Sequence, residues 1–326
     1  MSAQRTTTSG KLLALPLLLA GGWIAYSKLW IDHNVFLPNA IPEADWSFFE
    51  SENAGRLNYY HHRQANGRPL LLLHSINAAA SAYEMGPLFR HYRGLRPVYA
   101  LDLPGYGFSE RADREYTPAL FQSAILDMLE KAIGEPADVV ALSLSCEFVA
   151  AAALFRPELF HSLAFISPSG LNQQNTGRAT QQAGMRGASQ WLHRLFAFPL
   201  WARPLFDLIA TRRSIHFFLK QSFVGDVTPG FVDYAYATAH QPGAEHAPLT
   251  FISGRLFTPD VCAQVYQNLT QPVLMIYDED AYSRFDRLPE LLQRNPNWQT
   301  ARLVPSRGLP HFEQLPETVN ALDRFW

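Results

Sequence analysis

The chain has 326 residues, 48% of them hydrophobic, and a formal net charge of −2. That length and apolar content suit one large α/β domain with an insertion, or two modest domains. The balanced charge excludes a nucleic-acid partner, which needs a basic stripe or patch. No fixed period marks a solenoid or propeller. The two cysteines, Cys146 and Cys262, give neither a disulfide framework nor a metal-ligand spacing.

In chain order, the first distinctive segment is an uncharged run over 12–27, LLALPLLLAGGWIAYS. It falls a little short of the roughly 20 residues that span a bilayer. A snorkelling Lys28 extends the stretch to Ile31, and Trp23, Tyr26 and Trp30 suit an interfacial belt. Residues 1–31 are therefore expected to form a membrane anchor. Arg5 and Lys11 before the run favour an inside N-terminus and a catalytic domain on the non-cytoplasmic side. The alternatives are a cleaved signal peptide, leaving a secreted protein, and a buried helix of the main domain.

After a connector containing Pro38 and Pro42, the pattern turns to strands. Residues 56–63 read as an outer strand. Short continuous apolar runs at 69–74, 97–101, 138–142, 162–166 and 272–277, and a weaker one at 299–304, read as buried parallel strands. Helical patterns over 118–133 and 146–155 lie between them. This alternation predicts an α/β fold with a mostly parallel, doubly wound sheet. From 171 to 259 no core strand is legible. Trp191, Phe196, Phe198, Trp201, Phe206, Phe217 and Phe218 recur there at mostly helical spacing, which predicts an inserted helical cap. The alternative is a helical layer that only extends the core. Residues 181–188, small and polar, read as a flexible approach to the cap. The expected organisation is 1–31 anchor or signal, 32–170 core, 171–259 cap and 260–326 core.

The chemistry centres on Ser143. The apolar run 138–142 ends at Leu142, small residues flank the serine at Ala141 and Ser145, and an apolar helix follows. A nucleophile elbow needs this pattern, because bulky neighbours collide with the strand or helix around the strained turn. The usual Gly-x-Ser-x-Gly has lost both glycines here. The alternative is an ordinary serine that caps the helix.

His74-Ser75-Ile76-Asn77 follows the run at 69–74, and Asp102-Leu103-Pro104-Gly105-Tyr106-Gly107-Phe108-Ser109 follows the next. With these segments the sequence resembles the α/β-hydrolase superfamily, in its serine-nucleophile, cap-containing branch, from about Arg56 to the C-terminus. The Asp-x-x-Gly-x-Gly-x-Ser loop is present in full, while Ser75 stands where the family's His-Gly turn has glycine. The resemblance implies an oxyanion hole from the Ile76 and Leu144 amides, two donors aimed at charge developing on a carbonyl oxygen. It implies that His74, Asp102, Gly105, Gly107 and Ser109 serve loop architecture.

The same resemblance implies the order Ser, acid, His. Of the histidines after Ser143, only His311 lies beyond the last predicted strand, before Pro316-Glu317 and a terminal helix, so it is the expected base. Pro310 replaces the glycine usual before that histidine. The acid is sought in Asp278-Glu279-Asp280, directly after the run at 272–277. The family's Gly-x-x-Asp laid on Asp278 lands on Ala281, so Asp280, one residue earlier, is the choice, with Asp278 and Asp286 as runners-up.

The resulting expectation is a serine hydrolase that cleaves a hydrophobic ester or thioester through an acyl-enzyme on Ser143. No cofactor or metal is expected, since no Walker A loop, dinucleotide fingerprint or zinc cluster is visible. The same triad also fits carbon–carbon bond hydrolysis or cofactor-free peroxidation. A reading of another class is a non-catalytic, membrane-tethered hydrolase-like scaffold.

Overall fold

The computed structural model describes residues 8–173 and 191–326. The strands are β1 (Asp45–Ser51), β2 (Gly55–His62), β3 (Leu70–Leu73), β4 (Val98–Leu101), β5 (Ala137–Leu142), β6 (Phe160–Ile166), β7 (Val273–Tyr277) and β8 (Trp298–Arg302). They form one sheet in the order β1-β2-β4-β3-β5-β6-β7-β8. β1 and β2 form an antiparallel hairpin, and β2 also runs antiparallel to β4. All remaining pairs are parallel.

The inner strands explain the sheet's burial on both faces. β3 reads Leu-Leu-Leu-Leu with every residue fully buried. Because successive side chains point to opposite faces, Leu71 and Leu73 enter one core and Leu70 and Leu72 the other. β5 splits the same way, with Val139 and Ala141 on the first face and Val140 and Leu142 on the second. Helices Pro118–Asp127 and Ser145–Phe155 cover the first face, where Phe121 and Phe148 stack with ring centroids 4.8 Å apart. Gly86–Tyr92 and Leu315–Phe325 cover the second.

The chain runs from β3 outward to β4, then crosses back to β5 on the other side of β3. That reversal opens a crevice beyond the carboxyl ends of β3 and β5, where open α/β sheets hold their sites. Between β6 and β7 the described residues contain helices and no strand, including Ala202–Ile209, Arg212–Lys220, Pro229–Ala239 and His246–Ile252. The expected flexible approach at 181–188 lies outside the described residues.

The N-terminal segment corrects an expectation. It forms a helix, Thr8–Trp30, but no helix among the described residues is long and apolar enough to cross a membrane. The expected span fails, and with it the membrane partner and the placement of the site on the non-cytoplasmic side. The physical reason is that polar groups interrupt the run and are used inside the protein. Trp23 Nε1 donates to the Pro204 carbonyl at 2.8 Å, and the fully buried Ser27 hydroxyl donates to Asp207 at 2.6 Å. Arg203 and His33 meet the same buried carboxylate, each at 3.0 Å. A hydrogen bond to a buried charge of this kind contributes roughly 1.5–3 kcal/mol, so this helix is fastened to Ala202–Ile209.

The loop after β4 is organised by Asp102. The Asp102 carboxylate accepts from Asn58 Nδ2, Ala82 N and Phe108 N at 2.9–3.0 Å. Gly107 at φ +52° lets the chain fold over it, and a Cβ there would lie 2.0 Å from Asp102 Cγ. Gly107→Ala must both strain the backbone and displace this hub. It is expected to cost about 3 kcal/mol or more, read as a lowered urea midpoint; an unchanged midpoint contradicts this account of the loop.

Candidate active site

Three chain segments converge at the carboxyl ends of the central strands. The first is the turn at Ser143, directly after β5. Its φ is +56°, a left-handed conformation rare for a side-chain-bearing residue. The backbone is fixed there by Ser143 N–H donating to the Ile166 carbonyl at 2.9 Å and by the Ser143 carbonyl accepting from Cys146 N at 3.2 Å. Ala141 and Ser145, which replace the usual glycines, are both fully buried. Ser145 also takes a bonding role, since its hydroxyl donates to the His74 carbonyl and ties the elbow to the loop after β3.

That loop is the second segment. His74 is fully buried, its Nδ1 donating to Ser75 O at 2.6 Å and its Nε2 accepting from Leu103 N at 2.9 Å. Burial drives its pKa down to about 4, so it stays neutral and orders the loop. Beyond it, Ile76 N–H and Leu144 N–H donate no hydrogen bond among the described residues, although both residues are buried. Buried amides are nearly always paired, so two without a partner are unusual.

One contributor escaped the sequence reading. Glu84, 2% exposed, accepts from Ser75 N at 2.7 Å, from Ser75 Oγ at 3.1 Å and from Asn77 Nδ2 at 3.0 Å. It thereby braces the segment that carries the Ile76 amide. No motif surrounds Glu84 in the sequence, and its brace is made by folding of Ala82–Met85 back onto the loop.

The third segment follows β7. Asp280 Oδ1 accepts from Tyr282 N at 2.6 Å and from Ser283 N at 2.9 Å, which fixes the carboxylate. Burial raises its pKa, against the two amides and the Ser167 hydroxyl beside it. Ser167 follows β6 and donates its N–H to Ile276 O, so the strand ends are stitched laterally from Ser143 to Asp280. The runners-up are engaged elsewhere. Asp278 pairs with Arg302 at 2.9 Å and accepts from Ser306 N at 3.0 Å, while Asp286 accepts from Gln173 N at 3.2 Å.

His311 is not brought to Asp280. It lies on the short helix Pro310–Glu313, fully buried, and its Nε2 donates to the Glu84 carbonyl at 2.7 Å. Its Nδ1 has no partner among the described residues, and burial drives its pKa down to about 4. No hydrogen bond among the described residues joins Ser143, Asp280 and His311. The residue of this loop that abuts Asp280 is Gly308, where a Cβ would lie 3.0 Å from Asp280 Oδ2. This glycine lies three residues before His311, the expected base. Among the described residues no group of His, Cys, Asp or Glu could hold a metal ion.

Residues 70–322 match the α/β hydrolase family. The chain belongs to that family. No curated protein sequence matches it. Among solved structures it is similar to a carboxylesterase from Bacillus subtilis, at 17% identity and a TM-score of 0.64, over 94% of this chain and 96% of that one. It is also similar to a meta-cleavage product hydrolase from Pseudomonas fluorescens, at 16% identity and a TM-score of 0.64, over 86% of this chain and 96% of that one. A thermophilic esterase from Thermogutta terrifontis matches at 15% identity and a TM-score of 0.62, over 86% of this chain and 98% of that one. At these identities the likenesses establish the fold.

Within this hydrolase-family chain the Glu84 brace has a measurable signature. Burial pushes the Glu84 pKa up to about 7, against hydrogen bonds from Ser75 and Asn77 that lower it. The folded state therefore holds the proton to higher pH than the unfolded state, and stability falls as pH rises from the ordinary carboxyl range through 7. The full penalty is about 3 kcal/mol. In Glu84→Gln this contribution vanishes, so urea denaturation from pH 4 to 8 should show the variant gaining on wild type by about that amount. A difference between the two that is independent of pH contradicts the assignment.

Proposed function

We propose that this chain is a hydrolase that activates a carbonyl compound, an ester or thioester with an apolar part, by attack of Ser143 on its carbonyl carbon. The observation that carries the reading is the pairing of Ser143 at φ +56° with two buried amides that have no partner among the described residues. A strained turn persists only when its surroundings enforce it, and the proposed role of this one is to present the Ser143 hydroxyl to a carbonyl whose oxygen the Ile76 and Leu144 amides would receive. Asp280, in the loop after β7 and two strands from β5, supplies the anion that stabilises a charged base during transfer.

The apolar preference has its own support. A groove beside the end of helix Arg212–Lys220 is lined by Phe217, Phe223 and Val224 together with Lys220 and Arg307. Arg307 directly precedes Gly308, the residue that abuts Asp280. Its apolar floor and two cations suit an apolar acyl group bearing an anionic end. Esterases and a meta-cleavage product hydrolase both occur among the structural likenesses, so carbon–carbon bond hydrolysis remains the second reading of the same serine.

Two measurements test this. Incubation with a fluorophosphonate for hours at pH 8–9 should modify wild-type protein on the peptide containing Ser143 and leave Ser143→Ala unmodified, read by mass spectrometry. Equal modification of both removes Ser143 as the nucleophile. A series of p-nitrophenyl esters should give rates that rise with acyl length and fall to background in Ser143→Ala. Rates that ignore acyl length contradict the apolar assignment.

A further inference from the structure

The proposed chemistry needs a base for the Ser143 proton, and among the described residues no histidine is hydrogen-bonded to Ser143 or Asp280. His311, the late histidine, spends Nε2 on the Glu84 carbonyl. Asp280, held by two backbone amides, belongs to no ion pair among the described residues. Its second oxygen faces Gly308, with a Cβ on that glycine 3.0 Å from Asp280 Oδ2 and 3.4 Å from Ser222 Oγ. Gly308 is absent from the residues at positive φ, so its backbone does not require glycine. The position that faces the fixed carboxylate carries no side chain, and one placed there would press against Asp280 Oδ2 and Ser222.

We propose, resting on the Ser143 reading above, that Gly308 is the base position of this site and that the chain supplies no base there. Hydrolysis at Ser143 then runs fast only when an imidazole-type base from outside the chain occupies the slot against Asp280. The step balances as ordinary acyl transfer. The base nitrogen takes the Ser143 proton as Oγ bonds to the carbonyl carbon, and the carbonyl π pair moves onto oxygen, between the Ile76 and Leu144 amides. Collapse breaks the bond to the leaving group, which departs with the proton returned by the cationic base. Water repeats the sequence, releasing the carboxylic acid and restoring the serine. Asp280 is a positioning residue in this scheme, since it acts only through the base.

Two independent ways of filling the slot test the proposal, so that a misfolded variant does not decide it. In Gly308→His, hydrolysis of p-nitrophenyl butyrate should rise by about 10²-fold or more, and the rise should vanish in Gly308→His with Ser143→Ala. In unmodified protein, free imidazole should raise the rate saturably, beyond the linear rise seen with Ser143→Ala. Fluorophosphonate labelling of Ser143 is followed in parallel. If Ser143 is labelled but neither imidazole nor Gly308→His accelerates hydrolysis, the slot proposal is wrong and the nucleophile stands. If His311→Gln abolishes wild-type hydrolysis while labelling by a boronate at Ser143 persists, His311 is the base and the proposal is overturned. If Ser143 is labelled in no variant, the nucleophile reading fails and takes this proposal with it.

Discussion

The backbone of Ser143 is held in a left-handed conformation that an L-residue adopts at a cost of about 1–3 kcal/mol. It is held there because its N–H is committed to the end of β6, its carbonyl to the start of helix Ser145–Phe155, and that helix is buried along most of its length. The rest of the site is arranged around this turn. Ser145 reaches across to the His74 carbonyl, His74 fixes Leu103, and Asp102 gathers β2, the Ala82 turn and the Gly107 turn. Leu144 caps the start of that helix, where backbone amides have no intrahelical acceptor, so its N–H is left without one.

Burial of charge is the second organising force. Glu84 and Glu147 both lie almost wholly inside the protein, and burial pushes both pKa values up to about 7. Each is surrounded by donors that make its position worth keeping. Glu84 takes three hydrogen bonds from the loop that presents Ile76, and Glu147 joins Ser169 and Thr258 N, linking the elbow helix to the segments after β6 and the helical excursion. Both convert the cost of desolvation into a fixed geometry, which removal of either partner would release.

The central strands were legible because they are buried on both faces and therefore read as unbroken apolar runs. β3, β4, β5, β6 and β7 all fall within a few residues of their expected places. β1 was not legible. Its sequence, Asp-Trp-Ser-Phe-Phe-Glu-Ser, is half exposed at the sheet edge and carries Trp46 and Phe48 outward, so the apolar signal is on the wrong face. The N-terminal helix was legible as a helix and misread as a span, because the sequence does not show that Trp23 and Ser27 bond to Pro204 and Asp207, some 180 residues away. The candidate site divides in the same way. Ser143 and the Asp102 loop are local patterns, and the structure places them together. The Glu84 brace and the meeting of Asp280 with Gly308 are contacts that no local pattern announces.

The proposed meeting of Ser143 with the Ile76 and Leu144 amides can be observed without turnover. An alkyl boronic acid soaked into crystals of the protein should show boron bonded to Ser143 Oγ in tetrahedral geometry. One boronate oxygen should lie within hydrogen-bond distance of both Ile76 N and Leu144 N. A trigonal boron that does not touch Ser143, or a tetrahedral adduct whose oxygens reach neither amide, would contradict it.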